Sequence, residues 1–253
     1  MKIAKLPNIL KPVESSLKRI GDKHDGGYLV SFESLLDSDC LISFGLEENW
    51  SFETEFSKKN DIDIYCFDAS VSQKHFRNKL IKTLFRFDRP QYFFQSLKTY
   101  INYRSFFDNP IHHHIQKYVT YDRKPDHTSF QKIIDEILSK YENVFFKIDI
   151  EGSEYRILDQ LINIQDKITS LVIEFHDVDV NLKKILDFSS SFRLPIINLN
   201  VNNNGLISTN NLPTVIEVTY SNPDKKNNYQ DQNSINNLNF EEILINFEKI
   251  YDT

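Results

Sequence analysis

Four short apolar runs, each closing on a turn-forming or polar residue, recur along this chain. They are Cys40-Leu41-Ile42-Ser43-Phe44 before Gly45, Ile62-Asp63-Ile64-Tyr65-Cys66-Phe67 before Asp68, Val144-Phe145-Phe146-Lys147-Ile148 before Asp149, and Ser170-Leu171-Val172-Ile173-Glu174-Phe175 before His176. Between them lie helical patterns, clearest at Phe130, Ile133, Ile134, Ile137 and Leu138, with Ser51 to Lys59 and Glu154 to Ile164 as further covering helices. Such alternation is what βαβ units require, so the expected fold is α/β: a mostly parallel central sheet with helices on both faces. Strand ends in an open sheet of this kind line up along one edge, where ligands bind, and that edge is the expected active site.

A length of 253 residues suits one such domain, spanning 1–253. An N-terminal arm (1–38) precedes the first strand, and a basic, aromatic stretch (73–118) is too long for a simple crossover. That stretch reads as a partly helical insertion over the sheet edge, on the substrate side. Arg77, Arg86, Arg89 and Arg104 are its residues suited to an acceptor phosphate, while most of its aromatics read as core. Leu194 to Val201 and Pro213 to Tyr220 read as a hairpin-like edge, followed by a polar loop from Ser221 to Asn237 and an amphipathic or strand-like tail.

The formal charge of −6 removes the usual driving force for sequence-independent nucleic-acid binding, so no nucleic-acid partner is expected. Cys40 and Cys66 sit inside apolar strands and read as buried, reduced thiols. No stretch is long and apolar enough for a signal peptide or a membrane span, and a cytoplasmic location is expected. Oligomeric state stays open, with a homodimer as one option.

Gly45 stands where the backbone turns sharply at the end of the first strand. A single glycine supports neither a dinucleotide fingerprint nor a P-loop. Asp68, at the end of the second strand, stands where an acid takes the ribose hydroxyls of a nucleoside; the alternative is that it caps the following helix. Asp149, Glu151 and Glu154 bring three carboxylates to one strand-to-helix junction around Gly152, with Glu151 and Glu154 on one side of the first turn. Acids there also complement a helix dipole. His112-His113-His114 reads as an exposed polar stretch, since three adjacent residues cannot all face one ion.

At these residues a family resemblance becomes specific. The string Lys147-Ile148-Asp149-Ile150-Glu151-Gly152-Ser153-Glu154-Tyr155-Arg156-Ile157-Leu158 resembles the K-I-D-V-E-G-x-E-x-x-x-L signature of FkbM-type S-adenosylmethionine-dependent methyltransferases. Glu174-Phe175-His176 is similar to that family's strand ending in Glu-x-His, and Asp25-Gly26-Gly27-Tyr28 resembles an element found before the first strand in one of its branches. The family's glycine-rich first loop is reduced here to Gly45, Glu47 and Asn49. The resemblance implies a Rossmann-like class I methyltransferase fold with S-adenosyl-L-methionine as cofactor. It further implies that Gly45 and Glu47 lie against the methionine part, Asp68 on the ribose and Phe67 and Ala69 beside the adenosine. Asp25 and Tyr28 would close over the cofactor, and Asp149 would face the sulfonium and the acceptor hydroxyl.

Methyl transfer to a hydroxyl needs alignment and a base, which favours His176 or a desolvated Asp149. Glu151 joins these two as the third catalytic candidate. His176 has an alternative role as a hydrogen-bonded strand-end histidine. Asp149, Glu151, Glu174, His176 and Asp177 could also gather around Mg²⁺ or Mn²⁺, with Asp149, Glu174 and His176 the leading candidate ligands, an option not favoured because no spacing is metal-specific. The expected function is O-methylation of a carbohydrate or sugar-nucleotide intermediate in surface polysaccharide (capsule or lipopolysaccharide) biosynthesis. A non-catalytic nucleoside-binding scaffold and a methyltransferase for another small metabolite are the alternatives.

Overall fold

In the computed structural model of the chain, residues 4–23, 26–84, 89–120, 124–202, 206–224 and 238–240 are described. The arm contributes β1 (Ala4–Leu6), then a small hairpin of β2 (Lys18–Ile20) and β3 (Tyr28–Val30), then α1 (Phe32–Leu36). Ser31 starts α1 by accepting the Ser34 amide on its hydroxyl. There follow β4 (Cys40–Phe44), α2 (Ser51–Ser57), β5 (Asp63–Phe67), α3 (Gln73–Leu84), α4 (Pro90–Phe107) and β6 (His112–Ile115). Two-residue strands β7 (Tyr118–Val119) and β8 (His127–Thr128) lead to α5 (Phe130–Glu136), capped by Ser129, and to β9 (Val144–Ile148). The chain continues through α6 (Leu158–Asn163), β10 (Ile168–Phe175), α7 (Val178–Ser191), β11 (Ile196–Val201), β12 (Ile216–Ser221) and β13 (Leu238–Phe240), the last pairing with β1.

The central sheet has the order β11-β12-β10-β9-β4-β5-β6. β10, β9, β4, β5 and β6 run parallel, and β12 is antiparallel to both β10 and β11. The fold is thus the expected Rossmann-like α/β sheet, closed at one edge by an antiparallel hairpin. Winding starts at β4, proceeds outward to β5 and β6, then resumes on β4's other side at β9. This reversal opens a crevice at the carboxyl ends of β4 and β9.

Alternation along each strand sorts side chains onto two cores. Cys40, Ile42 and Phe44 of β4 and Val144, Phe146 and Ile148 of β9 pack with α5, α6 and α7; Leu41 and Phe145 pack with α2, α4 and the β2–β3 hairpin. Lys147 shares the face of Phe145, which directs an ammonium into the second core beside Tyr28 and Glu53. Both cysteines are buried and unpaired. Among the described residues, no helix is long and apolar enough to cross a membrane.

Three expectations change. The segment 73–118 is a helical hairpin plus a seventh sheet strand, because its His-rich end adds to the sheet edge as β6. His112 is buried rather than exposed: its ring stacks on Phe106, and Nδ1 lies 2.8 Å from the Phe106 carbonyl. The α7 helix has no counterpart in the sequence reading. Most of the 221–237 loop, Arg86 and the tail beyond 240 lie outside the described residues.

Candidate active site at the β4–β9 crevice

Gly45 ends β4 with φ of 84°, a conformation that L side chains rarely adopt. A Cβ there would sit 1.8 Å from the Asp149 carbonyl oxygen, so only glycine lets the two strand ends close together. The Asp149 amide fixes their contact by donating to Phe44 O at 2.9 Å, and the Gly45 amide ties the end of β4 to β5 by donating to Phe67 O at 3.0 Å. Glu47, Glu151 and Asp177, which follow β4, β9 and β10, all adopt positive φ near 50°. Strained non-glycine residues gathered at one sheet edge mark a site whose geometry the surroundings impose.

Asp68 accepts the Leu46 and Glu47 amides on one oxygen, both at 2.8 Å, and the Ser70 amide on the other at 2.6 Å. Burial raises its pKa, but hydrogen bonding from Ser70 and from the Glu47 and Leu46 amides outweighs burial and leaves it below the usual carboxylate range. Asp68 therefore ties the glycine loop to β5. A carboxylate offers about four acceptor sites, so capacity for a hydroxyl remains.

Asp149 lies between two cationic side chains. Its Oδ2 accepts from Tyr28 at 3.3 Å and lies 3.9 Å from Lys147 Nζ; its Oδ1 lies 3.9 Å from His176 Nε2. Lys147, with its side chain 6% exposed, donates to Gly45 O and balances Glu53, a fully buried carboxyl that burial raises in pKa. His176 sits within a ring of acids: Nε2 is 3.5 Å from both Glu151 and Glu174, and Nδ1 is 3.3 Å from Glu154. Glu151 and Glu154 thus flank opposite ring nitrogens instead of sharing one side of a helical turn. Burial alone would depress the imidazole, but the hydrogen bond and charge of Glu154, then Asp149 and Glu151, hold its pKa above the usual range. Glu174, buried and facing Asp149 and Glu217, is shifted upward despite His176 and the Asn202 amide.

Beside this cluster lies a cavity of about 510 Å³, within the range of small-molecule sites; His176 and Glu154 are not among its lining residues and stand behind Asp149, Glu151 and Glu174. Gly45, Glu47, Phe67, Asp68, Asp149, Glu151 and Glu174 line it, as does Gly26. Ala69 is not among its lining residues, although the adjacent Ser70 is. Tyr28 is buried under Asp149 rather than closing over the cavity, and Asp25 lies outside the described residues. Of the 73–118 insertion only its end, Lys117 and Tyr118, lines it, continuing into Val119, Thr120 and His127; Arg77, Arg89 and Arg104 are not present. Sequence reasoning missed Val119, Thr120, His127 and Asn202, which come from two-residue strands and loops too short to show a period; buried Lys147, a lone cation in an apolar strand, was the legible signal. A wider depression of about 910 Å³ lies between α2 and α4, but it holds none of the candidate residues and is not at the strand ends.

Asp149, Glu151 and His176 each offer one donor atom, all within 4.8 Å of one another, a set that can hold a hard divalent cation when the imidazole is neutral.

No protein-family model matches the chain, and comparison with curated proteins found no match. Among solved structures, an rRNA methylase from Streptococcus thermophilus is 12% identical, covering 76% of this chain and 93% of that one at a TM-score of 0.40. The M. capricolum TrmK complex with S-adenosyl-homocysteine is 11% identical, covering 81% and 74% at 0.37. The StiE O-MT, residues 942–1257, is 10% identical, covering 76% and 70% at 0.39. These are partial likenesses of chain trace, and the functional reading rests on the site itself.

Proposed function

We propose that the chain is an S-adenosylmethionine-dependent O-methyltransferase of FkbM type, acting on a hydroxyl of a carbohydrate or sugar-nucleotide intermediate in surface polysaccharide biosynthesis. The observation that carries the reading is the meeting of the Gly45–Glu47 loop, Asp68 and Asp149, the last backed by His176, around one cavity at the β4–β9 switch point. The residues fit the cofactor on two counts. Gly45 lets the β4 and β9 ends close so that Asp68 and Asp149 border one cavity, and the acid-rich wall suits a cationic ligand with no phosphate. The acceptor class rests on the family resemblance; the structures named above include an O-MT and an rRNA methylase.

In this reading Asp68 and the loop it ties hold the nucleoside, and Phe67 supports the base. When bound, the cofactor supplies an electrophilic methyl on a positively charged sulfur that departs as a neutral thioether. Asp149 accepts the proton of the acceptor hydroxyl as its oxygen bonds to the methyl carbon. His176, held as imidazolium by Glu154, is a poor base near neutral pH; it and Lys147 position the Asp149 carboxylate between them. The base role expected for either residue therefore passes to Asp149, with Glu151 at the cavity mouth orienting the acceptor. A metal ion has no step assigned to it.

Calorimetry with S-adenosylmethionine and S-adenosylhomocysteine, followed by labelled-methyl transfer to sugar nucleotides, polysaccharide, RNA and DNA, tests the proposal. Binding of both and transfer to the glycan acceptors are expected. No binding of either removes the cofactor assignment; transfer to RNA or DNA alone removes the acceptor class.

A further inference from the structure

The α3–α4 hairpin is left without a role once the cavity wall is assigned elsewhere. Its base is anchored: Phe76 of α3 and Tyr100, Tyr103, Phe106 and Phe107 of α4 pack on Trp50 and the second core. Among the described residues between Phe76 and Tyr100, none belongs to either core. The two helices pack on each other and are joined by residues 85–89, so the end of α3 lies beside the start of α4.

The exposed side of the hairpin, from its free end down to Ile101 beside the anchored base, is apolar and cationic together. Phe94 is 66% exposed, Ile101 54%, Leu84 51% and Ile81 50%. On α3, Arg77, Ile81 and Leu84 fall at i, i+4, i+7; on α4, Phe94, Lys98 and Ile101 repeat that spacing. Each helix thus carries one exposed stripe of two large apolar side chains and one cation, with Lys98 at the rim of the depression beside α2. Residues 73–107 hold eight Lys and Arg against a single acid, Asp88, giving +7 in a chain of −6. Lys79 and Arg104 are paired with Glu48 and Asp108, whereas Lys74, Arg77, Lys82 and Lys98 are exposed.

We propose that this hairpin is a docking element for an anionic lipid surface, its aliphatic and aromatic tips entering the headgroup boundary while the cations meet lipid phosphate. Interleaved charge and bulk is the composition that interfacial helices use. A nucleic acid would reward the cations but not Ile81, Leu84 and Ile101, which neither stack nor hydrogen-bond. A second copy docked by the same face would oppose the exposed cations Lys74, Arg77, Lys82 and Lys98 to their own copies. The proposal is independent of the reaction assigned to the crevice.

Co-sedimentation of the full chain with phosphatidylcholine vesicles, and with vesicles of phosphatidylcholine and phosphatidylglycerol, tests it. Binding to the anionic vesicles alone, weakened by salt, is expected. The pair Phe94→Glu/Ile101→Glu, and separately Lys82→Glu/Lys98→Glu, should each lower vesicle partitioning roughly tenfold or more with thermal stability unchanged, because all four side chains are exposed. Lack of binding, equal binding to neutral vesicles, or indifference to both variant pairs overturns the proposal. So does a wild-type dimer that dissociates in the Phe94→Glu pair, or tight single-stranded RNA binding without lipid binding.

Discussion

Replacing Gly45 by alanine tests how the crevice is built, and Gly152 supplies the control. Both glycines have similar backbone angles, φ of 84° and 88°. A side chain held at such an angle costs on the order of 1–2 kcal/mol. At Gly152 that is the whole penalty, since the new Cβ meets only Asp177 Oδ2 at 3.8 Å. At Gly45 the Cβ would lie 1.8 Å from the carbonyl oxygen of Asp149, a backbone atom that no rotamer change can move. The strand ends of β4 and β9 must then part, a cost of about 1–3 kcal/mol by analogy with overpacked cores. Gly45→Ala should therefore lose roughly 2–5 kcal/mol, and at about 2–4 °C per kcal/mol for a chain of this size its melting temperature should fall well below that of Gly152→Ala. The displaced loop carries the amides that Asp68 binds, so S-adenosylmethionine affinity should drop about tenfold or more, a change of about 1.4 kcal/mol. Differential scanning fluorimetry and calorimetry on both variants decide the matter. Equal melting temperatures in the two, or unchanged affinity in Gly45→Ala, would refute the reasoning.

Asp68→Ala, which strips three amides of their acceptor, should chiefly weaken cofactor binding, while Asp149→Ala should depress turnover with affinity largely kept; equal affinity loss in both contradicts that division. Glu154→Gln keeps an acceptor for the His176 amide but removes the charge behind Nδ1, so the His176 titration followed by NMR should move down by roughly 1–2 units, given about 1.36 kcal/mol per unit and about 1.5–3 kcal/mol for a hydrogen bond to a charged group. An unmoved titration would show that Glu154 does not set the imidazolium. Folding stability should decline as pH rises from neutrality: His176 and Glu174 both have folded pKa values above their unfolded ones, so each stabilises fully below its unfolded value and loses that contribution as pH climbs through the folded one. Asp68 and Glu48, shifted down, act oppositely and lose theirs on acidification. Urea titrations across pH check this, and His176→Gln should flatten the alkaline limb.

What the sequence determined by itself was local and periodic. The four apolar runs became β4, β5, β9 and β10, because a fully buried parallel strand must be apolar throughout and that requirement is written in consecutive residues. Gly45 and Asp68 were legible for the same reason: a sharp turn at a strand end admits few residue types, and acids at the next strand end have few uses. Tertiary structure alone decided the rest. β6 carries histidines in place of an apolar pattern and becomes a strand only by adding to the edge of β5, with His114 bonded to the Asp68 carbonyl. The cavity wall from Lys117 to Thr120 holds only the two-residue strand β7, too short to show a period. Whether His176 is a base or a fixed cation depended on Glu154, Glu151, Asp149 and Glu174 converging on its two nitrogens. A proton's affinity is set by distances of a few ångströms between groups far apart in sequence, and the order of residues along a chain does not record those distances.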